Sequence, residues 1–131
     1  MVIYVDTSAA MKTLLDEPES EALTTALADA LDAGDVLISS WLLHTELHCA
    51  VSRHQVAVPP AALETVLSAI NLVDLTRADL VTAGQLEGRL RSHDAIHLAV
   101  AIRLEVDAMA TYGDELAAAA SAAGMAIVSP T

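Results

Sequence analysis

The sequence predicts an α/β fold in which a central parallel β-sheet carries helices on both faces. Three observations predict it. Val2, Ile3, Tyr4 and Val5 form a run of β-branched or aromatic residues without a polar gap, the pattern of a short strand buried on both faces. Strand-like and helix-like runs then follow one another as β-α-α-β-α-α-β-α-α-β-α-β, an order that joins parallel strands through helical crossovers. Asp6 comes directly after the first run, before Thr7, Ser8 and a helix-like run over 9–15. In open α/β sheets ligands bind outside the carboxyl ends of the strands, so a carboxylate stands where a site is expected. Asp is also a good N-cap, and this stretch alone does not separate the two roles.

The remaining elements read in order. Pro18 suits the first turn of a helix over 18–32, in which Leu23, Leu27 and Leu31 recur at i, i+4 and i+8 as one apolar stripe. Residues 36–38 form a second strand. Ser39 and Ser40 offer an N-cap for a helix over 41–53, with Leu43, Leu47 and Ala50 on its apolar face. Residues 55–60 are a loop, and Pro59-Pro60 opens a helix to about residue 70. A third strand spans 71–75, and Thr76 caps a helix over 77–88. After the basic connection 89–91, Ser92 is a candidate cap for a helix over 93–105. The fourth strand covers 106–111, the last helix 115–123 with Gly124 ending it, and the last strand 125–128.

Size and composition narrow the function. A chain of 131 residues is large enough for one core and is read as one domain. With no Phe and only 2% aromatics, that core must be built from Leu, Val, Ile and Ala. The charge-free stretch 116–128 contains Ser121 and Gly124 and falls short of the roughly 20 residues of a membrane span. The N-terminus lacks a basic region before its apolar run, so it is not read as a signal peptide. Cys49 is the only cysteine, which excludes an internal disulfide or a Cys-based metal site; beside Leu47 and Ala50 it reads as an inert buried thiol. Together these features predict a cytoplasmic protein. The net charge of −12 argues against a generic nucleic-acid binder and suits a basic protein partner.

Four acids stand apart from the solvated faces. Asp6 and Asp114 fall just past strand ends, and Glu46 and Asp94 sit on helices that start along the same edge of the sheet. Glu46 lies among Leu43, Leu47 and Cys49; its alternative is a solvated face shared with His44 or His54. Asp94 can equally serve the dipole of its own helix. His97, three residues on, either orients Asp94 or a phosphate or packs in the interior. Carboxylates gathered at close range raise one another's pKa unless a counter-ion joins them. A hard cation such as Mg²⁺ or Mn²⁺ meets that need and keeps positions open for phosphate oxygens. Arg89, Arg91, Arg53 and Lys12 are the few cations that could touch a phosphate backbone.

VDTSA at 5–9, TELHCA at 45–50, HDAIHLAVA at 93–101 and TYGDELAAAA at 111–120 together resemble the motifs of PIN-domain ribonucleases, most closely VapC-type toxins of VapBC toxin–antitoxin modules. The resemblance spans essentially the whole chain. It implies a PIN-like fold and an Mg²⁺- or Mn²⁺-dependent endoribonuclease that forms a homodimer and is held inactive by a cognate VapB-type antitoxin. By motif, the metal-binding and catalytic acids are Asp6, Glu46 and Asp94, with Asp114 as fourth, and Thr7 or Ser8 positions a water or a ligand. The same resemblance lets the antitoxin place an Arg in the acidic cleft. One departure concerns the last motif. Relatives carry the fourth acid three residues before the Leu; here that slot holds Gly113, and Asp114 follows one step later. This motivates an alternative, a catalytically weak PIN-like binding module that acts through its partner. A phosphotransfer domain with Asp6 as nucleophile is disfavoured, because VDTSA lacks a second Asp two residues on.

Overall fold

β1 (Val2–Val5) occupies the centre of the sheet because its side chains are apolar on both sides. Ile3 and Val5 enter one core with Leu23, Leu27, Leu43, Leu47 and Leu63. Tyr4 enters a second core with Leu98, Val100, Met109 and Leu116. The computed structural model of the protein describes residues 1–55 and 57–131. In it β2 (Val36–Ser40), β3 (Asn71–Val73), β4 (Ala108–Ala110) and β5 (Ala126–Val128) join β1 in the order β3-β2-β1-β4-β5, every pairing parallel. The first core is closed by α1 (Thr7–Leu14), α2 (Ser20–Asp32), α3 (Trp41–Arg53) and α4 (Pro60–Ser68). The opposite face carries α5 (Arg77–Gln85), α6 (Ser92–Arg103) and α7 (Asp114–Ala122). This is the parallel sheet with helices on both faces that the sequence predicts.

Local chemistry sets the element ends. Asp6 accepts a hydrogen bond from the Ala9 N–H at 2.9 Å, so α1 begins at Thr7, two residues before the expected start. Thr76 and Asp79 form a reciprocal capping box at the start of α5. Pro60 stands at the start of α4 as expected.

Several expectations are corrected. Pro18 lies in the turn before α2, which starts at Ser20. Leu31 is 41% exposed, so the apolar stripe of α2 ends at Leu27. The third and fourth strands are shorter than read, because only three residues of each pair with a neighbour. Arg91, not Ser92, is the cap residue of α6. α5 stops at Gln85, and the chain then passes through two left-handed residues, Gly88 (φ 114°) and Arg89 (φ 59°). The loop expected over 55–60 includes Val56, which lies outside the described residues. Among the described residues no helix is long and apolar enough to cross a membrane.

Arg103 ties the second layer together. Its Nε and Nη2 donate to the two oxygens of Asp79 at 2.7 and 3.0 Å, and Nη2 also reaches the Asp74 carbonyl at 3.1 Å. Asp79 is 2% exposed, and the guanidinium beside it holds its carboxyl below the ordinary aspartate range. This fork fixes α6 against α5, and thereby the 86–91 loop between them.

Candidate active site

At the carboxyl end of the sheet, where β1 and β2 run directly into α1 and α3, lies a cleft of about 730 Å³. Asp6, Glu46 and Asp94 all line it, although 40 and 48 residues separate them along the chain. Thr7, Ser8, Arg89 and Arg91 line it as well. The wall from α3 consists of Thr45, Glu46, Cys49, Ala50 and Arg53, one face of the helix, while Leu43 and Leu47 point the other way into the core.

Asp6 forms the floor and is 3% exposed. Its Oδ1 accepts from the Ala9 N–H and from Ser8 Oγ at 2.7 Å, and its Oδ2 accepts from Thr111 Oγ1 at 2.6 Å. It is therefore both helix cap and cleft residue, which resolves the two roles left open by the sequence. Burial pushes its carboxyl above the ordinary range, against the opposing effect of these three donors. Among the described residues no cationic side chain pairs with it within 4 Å.

Glu46 is held differently. Its Oε1 accepts from Thr7 Oγ1 at 2.8 Å and lies 2.6 Å from His97 Nε2. Burial, the largest single influence, pushes its carboxyl up, but His97 and Thr7 together outweigh it and hold the group below the ordinary glutamate range. His97 itself is 1% exposed, and its Nδ1 lies 2.7 Å from the Tyr4 hydroxyl. Of the roles considered for His97, the structure shows it bonded to Glu46 rather than to Asp94. Glu46 likewise meets a histidine 51 residues away, on α6. Asp94 is a quarter exposed, with His93 Nε2 at 3.4 Å.

Two side chains at this site sit differently from where the sequence reading put them. Asp114 does not line the cleft. It opens α7 and lines the groove between α6 and α7 beside Ile102 and Ala118, while Glu115 lines the cleft. Gly113 enters α7 with extended backbone, and each further helical residue turns about 100°, so a one-residue offset changes which acid faces the site. Cys49 is exposed and lines the cleft, because it follows Glu46 on the helix and not Leu43 and Leu47. Glu115 and the buried Tyr4–His97 pair were missed. Counting motif offsets hid the first, and a strand aromatic and a helix His 93 residues apart gave no signal for the second.

The charges are unevenly distributed. Of the six Lys and Arg residues, Arg53, Arg89 and Arg91 line this cleft. Lys12 is instead bound to Glu17 and Glu19 at 2.6 and 2.7 Å, and Arg103 to Asp79. Among the described residues, three of the four cationic side chains outside such pairs thus line this cleft, Arg77 being the exception. The donor set fits a hard divalent cation: oxygen ligands, and a buried carboxylate lacking a positive partner. As the side chains stand, no three His, Cys, Asp or Glu among the described residues are grouped closely enough to hold an ion together.

The sequence matches the PIN domain family over residues 3–122. It is 36% identical over 135 residues to ribonuclease VapC46 of Mycobacterium tuberculosis, covering 98% of both chains. It is 33% identical over 132 residues to ribonuclease VapC47 of the same species, covering 98% of this chain and 97% of the relative. Its fold is shared with the crystal structure of M. tuberculosis VapC20, a toxin that cleaves the sarcin–ricin loop, at a TM-score of 0.70, 20% identity and 98% coverage of both chains. It is also shared with a toxin–antitoxin complex from Klebsiella pneumoniae at a TM-score of 0.66, 18% identity and 98% coverage of both chains. With this match over nearly all of its length and this cleft at the carboxyl end of its sheet, the chain belongs to the PIN domain family, among the VapC ribonucleases.

Proposed function

We propose that the chain is an Mg²⁺- or Mn²⁺-dependent endoribonuclease toxin that cuts RNA phosphodiester bonds in the cytoplasm and is inhibited by a cognate VapB-type antitoxin. The observation that carries this reading is Asp6: a buried carboxylate without a cationic partner among the described residues, on the floor of a cleft that Glu46, Asp94 and Glu115 also line. Asp6, Glu46 and Asp94 would hold the ion. Of the two acids that open α7, Glu115 is better placed than Asp114 to assist them. When bound, the ion supplies charge neutralisation, activation of a water and stabilisation of the leaving oxygen in an in-line displacement.

The chain's own groups prepare that chemistry. Ser8, Thr111 and the Ala9 N–H keep the Asp6 carboxylate in one orientation. Thr7 steadies Glu46. Arg89 and Arg91 meet the RNA phosphates beside the cut, and the left-handed Arg89 is a strained residue of the kind that clusters at functional sites. A homodimer, and an antitoxin whose toxin-binding segment is basic and places an Arg in the cleft, belong to the same proposal.

RNA cleavage by the purified protein with Mn²⁺ tests it. We expect cleavage that stops with EDTA and returns on adding excess Mn²⁺. Cleavage undiminished by chelation would refute the metal-dependent reading. The wider spacing of the carboxylates favours one second reading, a catalytically weak module that acts through its antitoxin; it predicts antitoxin binding without cleavage. For the cations, Arg89→Ala and Arg91→Ala are each expected to weaken RNA binding. Each should lower the salt dependence of binding by about one released ion while leaving kcat unchanged. An unchanged salt slope in both variants would remove these residues from the substrate path.

A further inference from the structure

Glu46 presents its two oxygens unequally. Oε1 takes both protein contacts, Thr7 Oγ1 at 2.8 Å and His97 Nε2 at 2.6 Å, whereas Oε2 takes no hydrogen bond among the described residues. His97 is fixed in turn. Its Nδ1 lies 2.7 Å from the Tyr4 hydroxyl, and its ring meets the Tyr4 ring edge-on at 5.6 Å. Tyr4 is fully buried on the central strand, and its hydroxyl is placed to donate to that nitrogen. One tautomer satisfies the whole chain: Tyr4 O–H donates to Nδ1, and Nε2–H donates to Glu46.

From this geometry we infer that Tyr4 and His97 form a buried strut that aims Glu46 into the cleft, with one carboxylate oxygen tethered and the other left for a divalent ion. His97 is thus a positioning residue that acts through Glu46. The inference rests on the metal-dependent reading of the cleft. Its location accounts for a fully buried histidine with a polar path to the central strand among Leu98, Val100 and Ala101 of α6. Any buried His needs partners for both ring nitrogens; what distinguishes His97 is that one of its two short contacts is to a carboxylate that lines the cleft. Histidines on metal centres are held by similar outer partners, whose loss costs roughly 10–100-fold in metal affinity; here the outer partner is the histidine and the ligand the carboxylate.

The test is calorimetric Mn²⁺ titration of the wild type, His97→Leu, His97→Gln and Tyr4→Phe, with RNA kcat and KM measured alongside. His97→Leu is expected to weaken Mn²⁺ binding roughly 10–100-fold and to lower kcat with the RNA KM unchanged. His97→Gln, which keeps an N–H able to reach Oε1, is expected to recover most of the affinity. Tyr4→Phe removes only one hydroxyl from a buried ring and carries the test if His97→Leu does not fold; it is expected to weaken Mn²⁺ binding several-fold. Wild-type affinity in Tyr4→Phe together with wild-type affinity in whichever His97 variants fold would overturn the strut while leaving the metal reading intact. A wild type that binds no Mn²⁺ would overturn both.

Discussion

Replacing Asp6 with Asn is expected to abolish RNA cleavage without unfolding the protein. The loss should exceed the roughly 10–100-fold typical of removing an outer partner of a metal ligand, because Asp6 is a proposed ligand itself. Stability is expected to move the other way. Burial raises the folded-state pKa of Asp6, so folding favours its neutral form. For an acid with a raised pKa, stability falls as pH climbs from the unfolded to the folded value, and the cost is complete above it. At pH 7 in EDTA the Asn variant therefore melts no lower than the wild type, since its amide removes a buried charge. Its Oδ1 can still accept from Ser8 and Ala9, and its NH₂ can donate to a reoriented Thr111 hydroxyl. The difference narrows on acidification, as wild-type Asp6 takes up a proton. Melting curves with and without Mn²⁺, run beside a cleavage assay, check both halves. A folded Asn variant that cleaves like the wild type would remove Asp6 from the chemistry.

Arg103→Ala is expected to produce the largest loss of stability among surface-accessible residues. It leaves Asp79, 2% exposed, without the guanidinium that grips both its oxygens. Removing one partner of a buried pair costs about 3–5 kcal/mol. The Arg103 side chain is 38% exposed, so water screens part of the interaction and about 2–3 kcal/mol is expected. That corresponds to a drop in Tm of roughly 10 °C. The pH dependence has the opposite sign to that of Asp6. Asp79 has a lowered folded-state pKa, so its contribution is complete above the ordinary aspartate range and is lost as pH falls through the lowered value. The wild-type advantage over Arg103→Ala should therefore shrink in acid. Thermal melts from neutral to strongly acidic pH measure this, and an advantage that grows on acidification would contradict it. Because the fork also holds the 86–91 loop between α5 and α6, RNA binding should weaken through Arg89 and Arg91 even where the variant remains folded.

Much of the fold was legible because the decisive signals are local. The gapless run Val2–Val5 marks a strand between two helical layers, Asp6 marks its end, and Thr76 marks a helix start. Each rests on contacts the neighbouring sequence supplies. Three of the acids were legible for a related reason: an acid directly after a strand, or among apolar residues on a helix, falls at the edge where a parallel sheet gathers its strand ends. What escaped depends on rotation about a helix axis and on long-range partners. Asp114 and Glu115 differ by one step in sequence and both line the groove beside α7, yet only Glu115 also lines the cleft. Cys49 is two residues past buried Leu47 but on the cleft side of α3. The Tyr4–His97–Glu46 chain joins a strand and two helices, and no spacing within any one of them announces it. Leu31 kept the period of its helix and still emerged into solvent, because α2 outruns the core it covers.

The central claim is that Asp6, Glu46 and Asp94 share one divalent ion in one cleft. Calorimetric titration of Mn²⁺ into the wild type, Asp6→Asn and Asp94→Ala tests it most directly, since it needs neither an identified RNA nor an antitoxin. We predict saturable heat in the wild type and none in either variant, all three remaining folded by their melting curves. A wild type without saturable heat, or variants that bind as tightly as the wild type, would contradict it.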